Sequence, residues 1–494
     1  MPSPQAAPAE ATYPANRWPA LFILLLASFM NLIDVTIVNV ALPRMQASMG
    51  ATSSQIEWVV AAYVLAFALG LLPFGRLGDT VGRARMFLIG VTAFTAMSAL
   101  CGLAPDMNTL IAARVLQGLA GALMTPQVLA IVAVIFPPAE RGGAFALFGL
   151  AAGLASVAGP LAGGLLIEGD LFGLDWRPIF LVNVPVGLLT VLAGWFVLPR
   201  MPGNPSLKHD PVGVLIAGAA VFLLIFPLIE GRGFGWPWWA FAMVAAAFVM
   251  LATFFLYERY RDSVSQSQLL PVSLMSNGNF LLGSLMSMTF FSGVAGFFLV
   301  LAVFLQGGFG FTPLQSGLTT IPFPIGILFA SVLSGRLRQR WQKPRIAIGS
   351  VILIAGMAYL SYVVSGIGDA VDHWDLVAPL VICGFGMGTA ISPLFQTVLS
   401  AVPGRDAGAG SGALQSFQQI GSALGIAITG EIFFSALTDS FMSGSMPHPA
   451  FVAALGRALT YELIAFTLVI LLVLMLKTPT QQFGHEGPPV PVEA

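Results

Sequence analysis

The sequence predicts an all-α integral membrane protein with fourteen transmembrane helices, from its composition, its apolar runs and the placement of its cations. Apolar residues make up 57% of the 494 residues and charged residues only 9%, whereas a soluble protein carries about 25% charged residues. Such a chain cannot cover a water-exposed surface, so lipid must surround most of it. A closed β-barrel is excluded because its strands alternate in polarity over about ten residues, and these runs do not alternate.

Fourteen apolar runs are long enough to form membrane helices, since about 20 apolar residues cross about 30 Å of hydrocarbon. The first run is too long for a signal-peptide core and lacks a small-residue cleavage site after it, so we expect it to be retained. The predicted spans are 18–41, 53–74, 84–104, 109–135, 142–167, 176–198, 211–230, 236–257, 278–305, 312–336, 344–366, 375–399, 408–435 and 455–476.

Lysine and arginine are distributed unequally between the two sets of loops. Sixteen lie in the loops on the side of the chain termini, four lie in the opposite loops, and Arg114 lies within the fourth span. Cytoplasmic loops carry the excess of these residues. We therefore expect a multi-pass protein of the plasma or inner membrane with both termini in the cytoplasm. A missed or extra helix would destroy this asymmetry, so the bias also supports the span count.

The residues that mark enzymes, metal sites and nucleic-acid-binding proteins are missing from the sequence. Cys101 and Cys383 lie in apolar runs without a CxxC motif or a Cys/His neighbour, so we expect no metal or redox site. No P-loop, GxSxG motif or helical histidine pair occurs. The formal net charge is −1 and the basic clusters are short, which argues against a nucleic-acid partner. We expect no catalytic residues and no cofactor.

Two loops near the two ends of the chain resemble each other. Residues 75–77 after span 2 and residues 335–337 after span 10 both read Gly-Arg-Leu, and an arginine follows ten residues after each glycine. Prolines in spans 4 and 12 also precede similar basic loops. Spans 1–6 then correspond to spans 9–14, with spans 7 and 8 inserted between them. A parallel repeat of six helices is typical of a transporter built from two rocking bundles, although short basic loops can also resemble each other by chance.

The repeat predicts a division of the chain into five parts. The N-terminal tail is Pro/Ala-rich, a composition typical of disorder. The predicted parts are a disordered tail at 1–17, a six-helix bundle at 18–200, an inserted helix pair at 201–262, a second six-helix bundle at 263–477 and a disordered tail at 478–494.

The loop after span 2 combines glycines with charges. Gly75 and Gly82 allow a tight turn and a close approach of helices, and Asp79, Arg83 and Arg85 lie between and beyond them. The loop resembles the cytoplasmic gating motif of the major facilitator superfamily, in which the acidic and basic residues latch the two bundles when the transporter faces outward. The arginines alone would fit ordinary membrane topology, but the glycine spacing favours a gate.

Span 5 carries a second glycine motif. Gly159, Gly163 and Gly164 allow neighbouring helices to pack backbone to backbone, and Pro160 removes a helical hydrogen bond and is expected to kink the span. The motif resembles the one found in antiporter members of the superfamily, which implies export rather than uptake. A glycine-rich packing seam without a transport role is the alternative.

Three further segments, 31–43, 58–63 and 175–187, together with the fourteen spans, resemble the fourteen-helix drug:proton antiporter family of the superfamily. The resemblance extends from about residue 18 to residue 477. It implies two six-helix bundles with an inserted pair, and a monomer that exports hydrophobic or cationic drugs or toxic compounds by alternating access. The proton gradient would be the only energy source, with protons, a small-molecule substrate and the bilayer as partners.

Three alternatives to drug export are open. The same fold could move one physiological solute, such as a metabolite or a siderophore, and a single sequence does not distinguish the two. A membrane enzyme is less favoured because no cluster of catalytic residues lies at one membrane face. A channel is less favoured because channels lack the two-bundle repeat and the gating loop.

Two charged residues lie deep within the spans. Asp34 is ~22 Å from the cytoplasmic edge and Arg114 is ~8 Å below the external edge, counting 1.5 Å per residue, so both lie at similar depth. Asn31 and Gln117 share their helical faces. We expect a polar cavity between the bundles, with Asp34 and Arg114 coupling protons to transport, because charges inside the membrane are usually functional. Arg114 also begins a segment that resembles the family's span-4 motif tied to proton transfer. A static ion pair is the alternative.

The substrate cavity is expected to be polar at a few positions. The predicted cavity residues are Asn31, Tyr63, Gln117, Asn183 and Glu431. Glu462 in span 14 is a weaker acidic candidate than Glu431, and either could be a carboxylate at the outer membrane edge, where charged side chains reach water.

Overall fold

The computed structural model describes residues 13–170, 173–208, 210–334, 341–366, 371–443 and 446–476. The two predicted disordered tails lie outside these ranges except for residues 13–17, and Arg17 already begins the first helix. The second copy of the Gly-Arg-Leu loop, residues 335–337, also lies outside the described residues.

The first predicted bundle forms seven helices, of which the short α6 and the following α7 together make span 6. Polar residues between the spans begin several of them. Thr52 and Gln55 form a capping box at the start of α2, and the backbone N–H of Thr109 donates to Asp106 before α4 and lowers the pKa of that carboxyl. The helices are α1 Arg17–Met49, α2 Ser53–Val81, α3 Arg83–Gly102, α4 Met107–Ile135, α5 Pro138–Glu168, α6 Pro178–Leu181 and α7 Asn183–Val197.

Beyond Val197, the described residues form ten α-helices. In the first two, α8 and α9, few residues of the apolar faces are buried, which fits a pair of helices in contact with lipid. The helices are α8 Pro211–Glu230, α9 Trp238–Ser263, α10 Val272–Met275, α11 Gly278–Val303, α12 Pro313–Thr320, α13 Pro322–Ser334, α14 Gln342–Ser365, α15 Val377–Leu399, α16 Ala407–Met442 and α17 Pro447–Met475.

Within the described ranges, thirteen helices are long and apolar enough to cross a membrane. The remaining predicted span, span 10, does not form one continuous helix of that length. Span 10, expected to be continuous from 312 to 336, is divided at Ile321 into α12 and α13. Pro322 follows the break, and proline lacks the backbone N–H that a continuous helix would use at that point. A membrane protein tolerates such a break where neighbouring helices cover the freed backbone groups.

Helices of each half pack mainly with one another. In the first half, α1 packs on α5, α2 on α4, and α3 on α4 and α7; in the second half, α11 packs on α16, α15 on α13 and α14, and α17 on α11, α14 and α16. The inserted helices α8 and α9 pair with each other, and α8 contacts α2 and α16. These pairings form two six-span bundles with an added pair, whereas the boundaries at residues 200 and 262 stay a prediction.

The halves repeat one packing device. A Cβ atom at Gly159 of α5 would overlap the side chain of Thr36 on α1, and a Cβ atom at Gly425 of α16 would overlap the backbone of Ser292 on α11. Both are contacts between the first and fifth spans of a half, where missing side chains let two helices approach closely.

Candidate functional site

The Asp34 carboxylate lies at the centre of a buried polar network. Arg114 Nη1 donates to its Oδ2 at 2.6 Å, and Gln117 Nε2 and Asn183 Nδ2 donate to its Oδ1 at 2.8 and 2.9 Å. Asp34 and Gln117 are fully buried, Arg114 is 1% exposed and Asn183 is 3% exposed. A charge-assisted pair with further donors satisfies a carboxylate that water cannot reach.

The Arg114 guanidinium holds the network together. Its Nε donates to the backbone oxygen of Val59 at 2.9 Å, and its Nη1 also donates to Gln117 Oε1 at 2.7 Å. Its central carbon lies 4.2 Å from the centre of the Tyr63 ring, within the range of a cation–π contact. Asn31 Nδ2 donates to the Tyr63 hydroxyl at 2.6 Å. Both α2 and α4 are therefore tied to the carboxylate on α1.

One network residue was not predicted from the sequence. Ser98 on α3 accepts hydrogen bonds from Gln117 Nε2 at 3.1 Å and Asn183 Nδ2 at 2.9 Å, and donates to the Phe180 backbone oxygen at 3.0 Å. Serine is common in membrane helices and carries no charge, so counting charges by depth passes over it. Cys101 lies three residues after Ser98 on the same face of span 3, and its thiol is 3.4 Å from Gln117 Oε1. This shared face was the feature of the sequence that could have identified Ser98.

The position of this network differs from the prediction. Asn31, Tyr63, Gln117 and Asn183 do gather around the Asp34–Arg114 pair, but the hydrogen-bonding partners come from α1 to α4, α6 and α7. The pair therefore lies inside the first bundle and not in a cavity between the bundles. Counting residues along the helices predicts a similar depth for Asp34 and Arg114, which their contact requires. Depth does not fix the direction in which a helix face points.

Glu431 makes none of the hydrogen bonds of this network among the described residues. It is exposed on α16, and its Oε2 accepts a hydrogen bond from Trp236 Nε1, in the loop between α8 and α9, at 2.9 Å. Glu431 thus contacts the inserted helix pair, and its expected cavity role stays a prediction.

The glycine-rich loop after α2 meets the start of α16. Asp79 Oδ1 and Oδ2 accept the backbone N–H groups of Gly408 and Ala409 at 2.8 and 2.9 Å. Arg83 Nη2 donates to Asp79 Oδ1 at 2.7 Å and to the Gly404 backbone oxygen at 2.6 Å. A carboxylate at a helix N-terminus satisfies free N–H groups and complements the helix dipole. Asp79 thus joins the first half of the chain to the second.

A second ion pair reinforces this contact, and it was not among the predicted gate residues. Arg76 Nη1 donates to Asp406 Oδ1 at 2.8 Å, and both side chains are at most 10% exposed. Arg85, which was predicted to belong to the gate, is exposed and has no ion-pair partner within 4.0 Å among the described residues. We call the group formed by Arg76, Asp79, Arg83 and Asp406 the latch.

The glycines beside the latch allow backbone contact. A Cβ atom at Gly75 would overlap the Gly408 backbone oxygen. Gly82 has a φ of 111°, which side-chain-bearing residues rarely adopt, and a Cβ atom there would lie 2.6 Å from the Met201 oxygen. Because α2 and α16 touch through their backbones, this seam between the bundles is closed.

The same end of the molecule is closed at a second seam and carries both ends of the described chain. Ser392 Oγ on α15 donates to the Gly142 backbone oxygen on α5 at 2.7 Å. Arg17 at the start of α1 pairs with Glu140 on α5 at 2.8 Å, and Lys343 donates to the backbone oxygen of Leu476 after α17. We call this the termini end.

The glycine motif of α5 faces α1 at two of its predicted positions. Cβ atoms at Gly159 and Gly163 would meet Thr36 and Ile37, whereas one at Gly164 would have no neighbour within 4 Å in the described structure. Pro160 lies within α5, which runs unbroken from Pro138 to Glu168. The motif is therefore a close α1–α5 seam to which Gly164 does not contribute.

Comparison with known proteins agrees with this architecture. The model of the Major Facilitator Superfamily matches residues 24–213 and 211–426. A probable actinorhodin transporter of Streptomyces coelicolor is 37% identical over 466 residues, 93% of this chain and 81% of that protein. A puromycin resistance protein of Streptomyces alboniger is 33% identical over 444 residues, 88% and 85% of the two chains.

The fold is similar to a solved transporter structure. The human organic anion transporter MFSD10 superposes with a TM-score of 0.67 over 93% of this chain and 100% of that one, at 15% sequence identity. At that identity the likeness concerns the fold alone. The family model matches most of the chain, and both relatives exceed 30% identity. The hypotheses of a membrane enzyme and of a channel are therefore rejected. The chain belongs to the Major Facilitator Superfamily of membrane transporters.

Proposed function

We propose that this protein is a proton-coupled antiporter that exports hydrophobic, antibiotic-type compounds from the cytoplasm. The observation that carries the proposal is the buried Asp34–Arg114 pair, whose atoms are 2.6 Å apart. An ionisable pair inside a membrane bundle is usually part of an ion pathway. The names of the relatives, a transporter of actinorhodin and a resistance protein against puromycin, support an antibiotic-type cargo.

Protonation of Asp34 would weaken the ties between four helices. A neutral carboxylic acid forms weaker hydrogen bonds to a guanidinium than a carboxylate does, so Arg114 would lose its main partner. Arg114 also donates to Val59 on α2 and covers Tyr63, and Asp79 of the latch lies 16 residues further along α2 than Tyr63, about 24 Å at 1.5 Å per residue. Helix α2 thus offers a continuous connection between the proton site and the latch.

The closed termini end fits one state of an alternating-access cycle. With the latch formed, the bundles are held together at that end, and we propose that cargo leaves at the other. The excess of basic residues on the side of the termini supports a cytoplasmic position for this end. We further propose that the protein works as a monomer in the plasma or inner membrane, since one chain supplies all the residues of the Asp34 network and of the latch.

The charge of the cargo depends on which acidic side chains line its pathway. A cationic cargo would be favoured if Asp34 and Glu431 faced one cavity. Asp34 is paired with Arg114 inside the first bundle, and Glu431 is bonded to Trp236 at the surface. The proposal therefore keeps hydrophobic cargo and leaves its charge to experiment.

Transport by purified protein in liposomes tests the proposal. Ethidium, puromycin, a neutral dye and an anionic dye should be offered under an imposed proton gradient, an imposed sodium gradient or no gradient. We expect uptake of at least one hydrophobic compound that requires the proton gradient and is abolished by a protonophore. Uptake that follows the sodium gradient, with the proton gradient collapsed, would contradict the proposal.

A further inference from the structure

Glu462 is a second carboxyl buried in the membrane region, and it lies in the second half of the chain. It is fully buried on α17, a helix of 29 residues. It lies 15 residues after the helix start, about 22 Å along the axis, and so near the middle of the helix. The sequence-based expectation of a carboxylate at the outer membrane edge is therefore wrong.

The carboxyl has few polar neighbours. Thr429 Oγ1 on α16 donates to Glu462 Oε1 at 3.1 Å, while Oε2 is buried and has no hydrogen-bond partner in the described structure. Two glycines of α11 make room for the group. A Cβ atom at Gly296 would lie 2.8 Å from Oε1, and one at Gly293 would lie 3.2 Å from Oε2. Three helices thus enclose a carboxyl with one donor.

Among the described residues, no cation balances this carboxyl. No Lys, Arg or His of the described residues lies within 4.0 Å of Glu462. Helix α11 carries no ionisable side chain, and Tyr461 on α17 itself donates to Ser292 Oγ at 2.9 Å. The ionisable groups of the elements packed on α17, together with those of α17 itself, are Glu431 and Asp439 on α16, Lys343, Arg345, Tyr359 and Tyr362 on α14, and His448, Arg457 and Tyr461 on α17.

The environment of Glu462 contrasts with that of Asp34. Asp34 has a guanidinium at 2.6 Å and two amide donors, as an ionised carboxylate requires. Glu462 has one hydroxyl donor and one oxygen without a partner. A carboxylate buried without counterion or full hydrogen bonding is so unfavourable that the group takes up a proton instead.

We propose that Glu462 is a second proton-carrying site, which holds its proton in this conformation and releases it when water reaches the space between α11, α16 and α17. The O–H bond of Glu462 breaks, its electron pair stays on the carboxylate, and the proton passes to a water molecule. The reverse transfer from hydronium restores the acid. This inference rests on the proposed function, because a carried proton needs a proton-driven cycle.

Infrared difference spectroscopy of the protein in liposomes tests the protonation without any cargo. At neutral pH we expect a carboxylic-acid C=O band that shifts in D₂O and disappears in Glu462→Gln. The band should persist in Asp439→Asn, a matched control that removes a half-exposed carboxylate from α16. A Glu462→Gln spectrum that retains the band of the parent overturns the inference. The glutamine is isosteric and keeps an oxygen for the Thr429 hydroxyl, so folding is expected to survive.

Counting protons per molecule of cargo tests the carrying role. For whichever of ethidium and puromycin the parent transports better, we expect Glu462→Gln to move one proton fewer per molecule, with Asp439→Asn unchanged. If the parent is driven by protons and Glu462→Gln moves the same number of protons per molecule of cargo, the carrying role of Glu462 is overturned. The proposed function is then unaffected. A parent that shows the infrared band but moves cargo without protons overturns the proposed function, and the carrying role falls with it.

Discussion

At Asp34 the sequence places one negative charge among three donors from two other helices, α4 and α7. Arg114, Gln117 and Asn183 all donate to its two oxygens, and Ser98 accepts from the two amides. Removal of one member leaves polar groups that no water can satisfy. The residues are therefore expected to respond differently to substitution, according to whether a charge is removed from the network or left in it without a partner.

Asp34→Asn is expected to abolish proton-driven export while the protein stays folded. Asparagine keeps the shape and one oxygen that accepts hydrogen bonds, but it cannot release a proton. Proton release from detergent-solubilised protein on addition of ethidium or puromycin measures this directly, with Glu140→Gln as the control because Glu140 is a partly exposed carboxylate. If Asp34→Asn released as many protons as the parent, Asp34 would not be the coupling carboxylate, and Glu462 would become the leading candidate.

Arg114→Ala is expected to be the more damaging change. It leaves the buried Asp34 carboxylate without its counterion, and loss of one partner of a buried pair costs about 3–5 kcal/mol. Thermal unfolding in detergent, monitored through aggregation, should have a lower midpoint temperature for Arg114→Ala than for Asp34→Asn. Asp34→Asn added to Arg114→Ala should recover part of the loss, since it removes the stranded charge. No recovery in the double variant would argue that Arg114 acts mainly by filling space.

At the scale of helices, α2 carries contacts at both of its functional ends. Its first half supplies Val59 and Tyr63 to the proton site, and its last turn supplies Asp79 to the N-terminus of α16. Helix α1 similarly carries Asp34 on one face and the Thr36 contact with α5 on another. A movement of the Asp34 side chain can thus be transmitted by α2 to the latch and by α1 to the α1–α5 seam.

Asp79→Asn is expected to weaken the latch without unfolding the protein. The glycine contacts of α2 and α16 remain, but the amide can accept only one of the two N–H bonds and loses its pairing with Arg83. Hydrogen bonds to a charged group are worth about 1.5–3 kcal/mol each, so opening of the termini end should become at least about tenfold more frequent.

Maleimide labelling of Ser411→Cys, which is fully buried beside the latch, measures that opening. Labelling should be faster in the Asp79→Asn background than in the parent, and export should be slower. Glu140→Gln removes a carboxylate from the same end and serves as the control. Unchanged labelling together with normal turnover would mean that the loop is only a topology signal.

The α1–α5 seam permits a paired comparison of two neighbouring glycines. Gly159→Ala places a methyl group against Thr36, whereas Gly164→Ala places one where no described atom lies within 4 Å. Overpacking costs about 1–3 kcal/mol, so Gly159→Ala should lower the unfolding midpoint and slow export, and Gly164→Ala should behave as the parent. Equal effects of the two substitutions would show that the glycine motif does not act through the contact between Gly159 and Thr36.

For the whole molecule, residue types and spacing predict much of the fold but not the direction of helix faces. The spans follow from apolar length. Asn31 and Gln117 were predicted because they share helical faces with the two charges, and Tyr63 and Asn183 lie in segments that resemble the family. The location inside one bundle, the burial of Glu462 and the exposure of Glu431 depend on helix rotation, which an all-round apolar helix does not encode. The Arg76–Asp406 pair needs the tertiary contacts themselves.

Alternating access of the whole molecule predicts that a closed termini end can be trapped. Gly142 on α5 and Gln396 on α15 approach each other, with a Cβ atom at Gly142 lying 3.1 Å from Gln396 Nε2. In a background with Cys101 and Cys383 replaced by serine, Gly142→Cys and Gln396→Cys joined by a short thiol-cleavable crosslinker should stop export completely. Cleavage of the crosslinker by reduction should restore it, because the bundles can then separate at this end.

The crosslinked protein should still bind cargo from the opposite side, measured as quenching of its tryptophan fluorescence by ethidium. Each single-cysteine variant treated with the same reagent is the matched control and should transport normally. Export that continued in the crosslinked double variant would contradict a cycle that opens this end, because both seams described here would then stay closed throughout transport.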